Sequence, residues 1–201
     1  MESGLLIVIS GPSGSGKGTI CKKLIEEMQN IKVSVSATTR IPRAGEVDGR
    51  NYFFLDEDNF LNKIKKDEFI EYACVYGNYY GTLKNEVLKE LENGKDIILE
   101  IDIQGALNVK KDYPDGVFIF ILPPSIEELK NRIEARGTDS KEVILKRMEC
   151  VYEELNYAFQ YDYVVLNDEV EIAVNKIKNI ISAEKNKALR NQALIQKIKE
   201  V

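Results

Sequence analysis

Short apolar runs separated by longer stretches of helical periodicity set the rhythm of this chain. Leu5–Ser10, Asp96–Ile101, Val117–Leu122 and Tyr163–Leu166 are such runs. Asp96–Ile101 and Val117–Leu122, rich in β-branched residues, have the length of buried strands, and Leu5–Ser10 and Tyr163–Leu166 predict further strands. Between them the apolar positions fall three and four apart. Ile20, Leu24, Ile25 and Met28 follow the first run, and Ile144, Met148, Val151 and Leu155 stripe a helix expected to begin near Ser140. That spacing places each set on one helical face. Ser125-Ile-Glu-Glu128, just after Pro123-Pro124, has capping-box spacing, and a further long helix is expected from about Glu169. Strands alternating with helices predict an α/β fold built on a doubly wound, mostly parallel sheet.

One segment breaks the rhythm. Nine of the chain's 17 Tyr and Phe residues lie between Tyr52 and Tyr80, on short strand-like pieces rather than βα units. That density predicts an inserted, β-rich lobe with its own small core, interrupting the main sheet between about Val33 and Leu83. From Asn186 onward the chain is rich in Lys, Asn and Gln, with Ala188, Leu189, Ile195 and Ile198 interspersed. This predicts a solvated amphipathic helix end.

Composition narrows the chemistry. The chain of 201 residues can bury one full core. A formal net charge of −5 leaves no basic footprint for a nucleic-acid polymer. No apolar run is long enough to span a bilayer, and Met-Glu-Ser-Gly at the start is no secretory leader. Cys21, Cys74 and Cys150 are scattered without CxxC spacing, as reduced thiols of a cytoplasmic protein would be. The chain has no histidine, which removes His triads, His-ligated zinc and imidazole acid–base catalysis together. Lysine, arginine, carboxylates, hydroxyls and a bound cation remain.

Gly11-Pro-Ser13-Gly14-Ser15-Gly16-Lys17-Gly18-Thr19 sits between the first predicted strand and the first predicted helix. The glycines let backbone N–H groups turn inward around polyphosphate oxygens, the helix N-terminus adds partial positive charge, and Lys17 supplies a point charge. Such a loop binds a nucleoside triphosphate. The position after the lysine, commonly a hydroxyl residue that touches Mg²⁺, is Gly18 here. The cation is therefore expected on nucleotide oxygens and water.

Further motifs fall in a specific order. They are Ser36-Ala-Thr-Thr-Arg40-Ile-Pro-Arg43-Ala-Gly-Glu46-Val-Asp-Gly49-Arg-Asn-Tyr52-Phe-Phe, then Glu71-Tyr-Ala, Tyr80-Gly81-Thr82 and Glu100-Ile-Asp102-Ile-Gln104-Gly105. Together with the loop they resemble guanylate kinase, a P-loop nucleoside monophosphate kinase, from about Leu5 to Asp168. The resemblance implies one domain over residues 1–201. Its core would be 1–33, 83–135 and 159–201, its GMP-binding insert 34–82 and its helical lid 136–158. It implies transfer of the γ-phosphoryl group of ATP to GMP, with dGMP as an alternative acceptor and Mg²⁺ accompanying ATP. Ser13, Ser15, Arg132 and Asn167 would join the loop glycines, Lys17 and Thr19 in holding ATP, with Asn167 and Asp168 on the adenine side.

On the acceptor side, Arg40 and Arg43 can clamp a monophosphate, with the Tyr52 and Tyr80 hydroxyls donating to its other oxygens. Glu71 and Asp102 can accept from guanine N1–H and its N2 amine, and Ser36 and Thr82 can serve O6. Adenine would set a bare lone pair against a carboxylate. The resemblance places Lys17, Arg40, Arg136 and Arg147 in catalysis, the last two from the lid. It gives Glu100, with Thr19, a role in ordering Mg²⁺ through water rather than as a direct ligand. A phosphate oxygen already ionised near neutral pH needs no general base, which accommodates the missing histidine. Two other classes share the fold: an interaction domain that binds protein ligands, and a kinase for another small phosphorylated acceptor. Retention of Lys17 with the arginines separates the first, and the Glu71–Asp102 pair the second. The sequence does not set the oligomeric state.

Overall fold

The computed structural model describes residues 3–75, 77–135 and 141–200, with the backbone alone at 135, 141–147 and 150. In chain order, β1 (Leu6–Ser10) and α1 (Lys17–Glu27) precede β2 (Ile31–Val33), β3 (Ser36–Thr38) and β4 (Phe53–Phe54). Next come α2 (Glu57–Lys65), β5 (Phe69–Val75), β6 (Asn78–Leu83), α3 (Lys84–Glu92), β7 (Asp96–Glu100) and α4 (Ile103–Asp112). Then follow β8 (Val117–Leu122), α5 (Ile126–Ala135), α6 (Lys141–Asn156), a 3₁₀ turn, β9 (Tyr163–Leu166), α7 (Val170–Lys185) and α8 (Gln192–Lys199).

The expected doubly wound sheet has five strands in the order β2-β7-β1-β8-β9, every pairing parallel. Its apolar runs alternate between the two faces, as pleating requires. Ile7, Ile9, Ile98, Ile119 and Ile121 pack under α1 and α7, against Ile20, Leu24, Val174, Ile177 and Ile181. Leu6, Val8, Ile97, Leu99, Phe118 and Phe120 pack on the opposite face, against Val87, Leu91, Ile103, Ala106 and Val109 of α3 and α4. Only β2 gave no run in the sequence: it is three residues long, and only Ile31 in it is buried. α5 and α6 meet through Leu129, Ile133 and Val151, and Ser125 Oγ accepts from Glu128 N at 3.0 Å as its capping spacing requires.

The aromatic segment forms a second, mixed sheet, β4-β3-β6-β5. Its core is Ala37, Phe60 and Phe69, with Phe60 stacked on Phe69 at 4.4 Å and on Tyr79 at 5.4 Å. A bulge in β5 between Phe69 and Glu71 ties this lobe to the main sheet. Phe69 enters the lobe core while Ile70 enters the α3/α4 core. At the chain's end, α8 leaves Leu194, Ile195 and Ile198 exposed, as the amphipathic tail predicts.

Near the amino end of β9, buried Glu184 of α7 accepts from Tyr163 Oη at 2.5 Å and pairs with Lys187 at 2.6 Å and Arg190 at 3.6 Å. Burial alone would raise its pKa, but Lys187, Tyr163 and Arg190 together hold it below 4.5. A lowered carboxylate contributes stability that is full above its unfolded value and lost as pH falls through the folded one. Glu184→Gln should therefore cost about 1–3 kcal/mol at neutral pH. In thermal melts the wild type's advantage should persist down to about pH 4.5 and fade below it.

Candidate active site

β1 ends at Ser10, and the chain turns through Gly11, Gly14 and Gly16, whose φ angles are 144°, 90° and 91°. Gly16 is the N-cap of α1, and the first turn of that helix carries no acidic residue, so its positive end is left for an external anion. Lys17 Nζ folds over the loop, donating to the carbonyls of Gly11 at 2.7 Å and Pro12 at 3.0 Å. Ser15 is buried, Ser13 partly so, and Thr19 is exposed on the first turn. A Cβ on Gly18 would lie 3.4 Å from a Glu100 carboxylate oxygen. Its absence lets that exposed strand-end carboxylate approach the helix. Cys21, buried behind them, has its thiol pKa pushed up by burial and then by Glu100's charge, and is an inert free thiol; Cys74 is free too.

The end of β9 closes the cradle. Asn167 Nδ2 donates to the Ser15 carbonyl at 2.7 Å. Arg132 of α5 donates from Nε to Glu128 at 2.9 Å and from Nη1 to the Asn167 carbonyl at 3.3 Å. Asp168 is exposed beside it.

Across the crevice, the lobe's register brings together the residues expected on the acceptor side. Ser36 of β3 and Glu71 of β5 both stand opposite Thr82 of the intervening β6, so the three side chains form one row on one face. Thr82 Oγ1 donates to Glu71 Oε1 at 2.7 Å. Ser36, Glu71, Tyr52 and Tyr80 line a cavity of ≈ 240 Å³, which Glu100 and Asp102 close from the end of β7. Asp102 is the N-cap of α4, accepting from Gly105 N at 2.7 Å. Burial raises the Glu71 pKa to about 7, the Thr82 hydrogen bond opposes the rise, and Asp102's charge adds to it.

Arg40 lies beside the cavity rather than in its wall. Its guanidinium rests over Tyr52 at 5.4 Å and pairs with Glu46 at 2.8 Å, and Tyr52 meets Tyr80 edge-on at 6.1 Å. Arg43 is exposed, and its backbone N–H also donates to Glu46, at 2.7 Å. Thr82, the middle member of the row, is itself buried. Arg136 lies outside the described residues, as does the side chain of Arg147, which is carried by α6.

Two carboxylates were missed from sequence. Glu46 organises both arginines, and the signal was an acid six residues after Arg40 across a Pro and a Gly. Glu154 of α6 is half-buried, and burial raises it above its ordinary value, with Lys17's charge opposing and Asp102's adding. On a helix rich in glutamate, no spacing marks it out.

The guanylate kinase family model matches residues 3–184. The guanylate kinase of Caldanaerobacter subterraneus subsp. tengcongensis is 63% identical over 199 residues, 99% of this chain and 97% of that one. That of Clostridioides difficile is 54% identical over 201 residues, covering 100% and 98%. The crystal structure of guanylate kinase from Anaplasma phagocytophilum superposes with a TM-score of 0.76 at 35% identity, over 94% of this chain and 90% of that one.

Thr82→Val keeps the buried shape and deletes the hydroxyl that favours ionised Glu71. Glu71 should then titrate above about 7 in carboxyl-detected NMR; an unchanged midpoint would show that the hydroxyl does not hold it.

Proposed function

The chain belongs to the guanylate kinase family, and from that premise we propose how its residues divide the work. It transfers the γ-phosphoryl group of ATP to GMP, giving ADP and GDP. The reading of its acceptor side rests on one observation, the cross-strand row Ser36–Thr82–Glu71 facing Asp102 across the cavity. Glu71 and Asp102 each commit one oxygen to the protein, to Thr82 and to Gly105 N. Their second oxygens accept from guanine N1–H and the N2 amine, and Ser36 serves O6, with Thr82 between Ser36 and Glu71 holding the latter. An adenine there would leave a carboxylate unpaired, at a cost of about 1–3 kcal/mol or more. Arg40, Arg43, Tyr52 and Tyr80 hold the GMP phosphate, Arg40 being aimed by Glu46 and the Tyr52 ring. dGMP presents the same base edge and phosphate and is a second acceptor.

ATP lies in the cradle Gly11–Thr19, with Arg132 and Asn167 on its side of the crevice. Lys17 follows the transferred phosphoryl group, leaving its two loop carbonyls to do so, and Arg136 and Arg147 approach from the lid. The core is 1–33, 83–135 and 159–201, with insert 34–82 and lid 136–158 closing over it to exclude water. The acceptor oxygen is already ionised, so no side chain removes a proton; the residues position two polyanions and neutralise them. Among the described residues no cluster of three or more His, Cys, Asp or Glu side chains could hold a metal ion. A single exposed carboxylate, Glu100, beside α1's first turn suits Mg²⁺, which keeps its waters and binds through nucleotide oxygens. Glu100 and the Thr19 hydroxyl would hold those waters; the ion, when bound, offsets charge on the β- and γ-phosphates. Free nucleotides as substrates and a net charge of −5 support action in the cytoplasm without a polynucleotide partner. Among the described residues no helix is long and apolar enough to cross a membrane.

Lys17→Met should lower turnover by about 10²–10³ or more while leaving the melting temperature near wild type. More than half of wild-type turnover would remove the cradle lysine from the mechanism.

Glu71→Gln should cut kcat/KM for GMP by roughly 10-fold or more, barely move the KM for ATP, and narrow the preference for GMP over AMP. Because ionised Glu71 is the accepting form, wild-type affinity for GMP should rise as pH passes through about 7, and the variant should lack that step. Equal loss for every acceptor would mean that Glu71 holds the lobe together instead.

A further inference from the structure

Asn167 is a polar side chain only 2% exposed, at the carboxyl end of β9. Its backbone N–H donates to the Leu122 carbonyl at 2.8 Å, extending the β8–β9 ladder by one residue. Its side chain does something else. Nδ2 donates to the Ser15 carbonyl at 2.7 Å across 152 residues of sequence, and because that acceptor is a carbonyl, the orientation of the amide is fixed. A Cβ on Gly16 would come within 2.2 Å of the same nitrogen, so the amide lies flush against the Ser15–Gly16 peptide. Oδ1, by contrast, is buried without a hydrogen-bond partner among the described residues.

We propose that Asn167 is a positioning residue for the phosphate loop, setting the plane of the Ser15–Gly16 peptide, and that it acts through the loop rather than on the adenine base. This rests on reading Gly11–Thr19 as the ATP cradle. In a planar trans peptide the carbonyl and the following N–H point in opposite directions. Holding the Ser15 carbonyl against Asn167 therefore turns the Gly16 N–H the other way, away from Asn167, which on the cradle reading is the side where phosphate lies. Gly16 has a left-handed φ of 91°, and glycine tolerates rotation of the flanking peptide more freely than any other residue. The loop thus needs an external restraint at the point where its own chemistry supplies least. The Arg132 guanidinium, 3.3 Å from the Asn167 carbonyl, links the same strut to α5, the helix that precedes the lid.

The test uses Asn167→Ala and Asn167→Leu, the second keeping the volume filled should the cavity of the first prevent folding. Calorimetry would measure binding of inorganic tripolyphosphate, ATP and GMP, and a ligand-free melt would check the fold. Both variants should lose roughly 10-fold in affinity for tripolyphosphate and for ATP by the same factor, with GMP binding unchanged. A loss for ATP without a loss for tripolyphosphate would mean that Asn167 reads the base, and overturns the proposal. Equal losses for all three ligands, or none, overturn it as well. Wild-type protein that does not bind tripolyphosphate would instead overturn the cradle reading, and this inference with it.

Discussion

β1 has no polar face: its five residues are all buried, and both its edges are taken by parallel strands. Helices cover the sheet above and below it. Nothing reactive can be displayed along such a strand, so polar chemistry must begin where it ends. Because β7 and β8 run parallel on either side, their carboxyl ends open at the same edge, and the reversal of strand order at β1 leaves a crevice there. The loop after β1, Glu100 and Asp102 after β7, and Asn167 after β9 all arise from that single constraint.

On the proposed reading the crevice accepts two polyanions, yet Glu71, Glu100 and Asp102 line it. The protein reconciles these by aiming its cations in advance. Lys17 is held by two loop carbonyls, Arg40 by Glu46 and the Tyr52 ring, and Arg132 by Glu128 and the Asn167 carbonyl. Each restraint reduces the ordering left to be done when nucleotide arrives. The carboxylates are treated differently. Burial and a neighbouring charge raise Glu71 to about 7, so ligand-free protein near neutrality carries less negative charge in the acceptor cavity than its composition implies. Guanine donors would restore the ionised form.

The lobe's attachment is as specific as its row of side chains. One extra residue in β5 sends Phe69 into the lobe core, Ile70 into the main core and Glu71 toward the cavity. Without the bulge, strict alternation would place Phe69 and Glu71 on one face. Packing of both cores and the lining of the cavity therefore share three consecutive residues.

The sequence by itself determined four strands of the main sheet, because a short β-branched run bounded by turn signals has few other places in an α/β fold: β8 and β9 match their runs end to end, and β1 and β7 within a residue, although edge strand β9 leaves Val164 and Leu166 exposed. It also determined the glycine turn between β1 and α1, whose glycines and lysine lie close together in the chain, and the existence of an aromatic lobe. Three-residue β2 carried too little pattern to be seen. Only the tertiary structure decided what depends on neighbours distant in the chain. The separations of 11 positions from Glu71 to Thr82 and of 152 from Ser15 to Asn167 are closed by the tertiary fold, which no local periodicity encodes. The titration of Glu71 near 7 is a property of its burial and of Asp102, and the service of Glu46 to Arg40 depends on the turn between them. Residue types are local and legible; distances, desolvation and hydrogen-bond partners come into being only when the chain has folded back on itself.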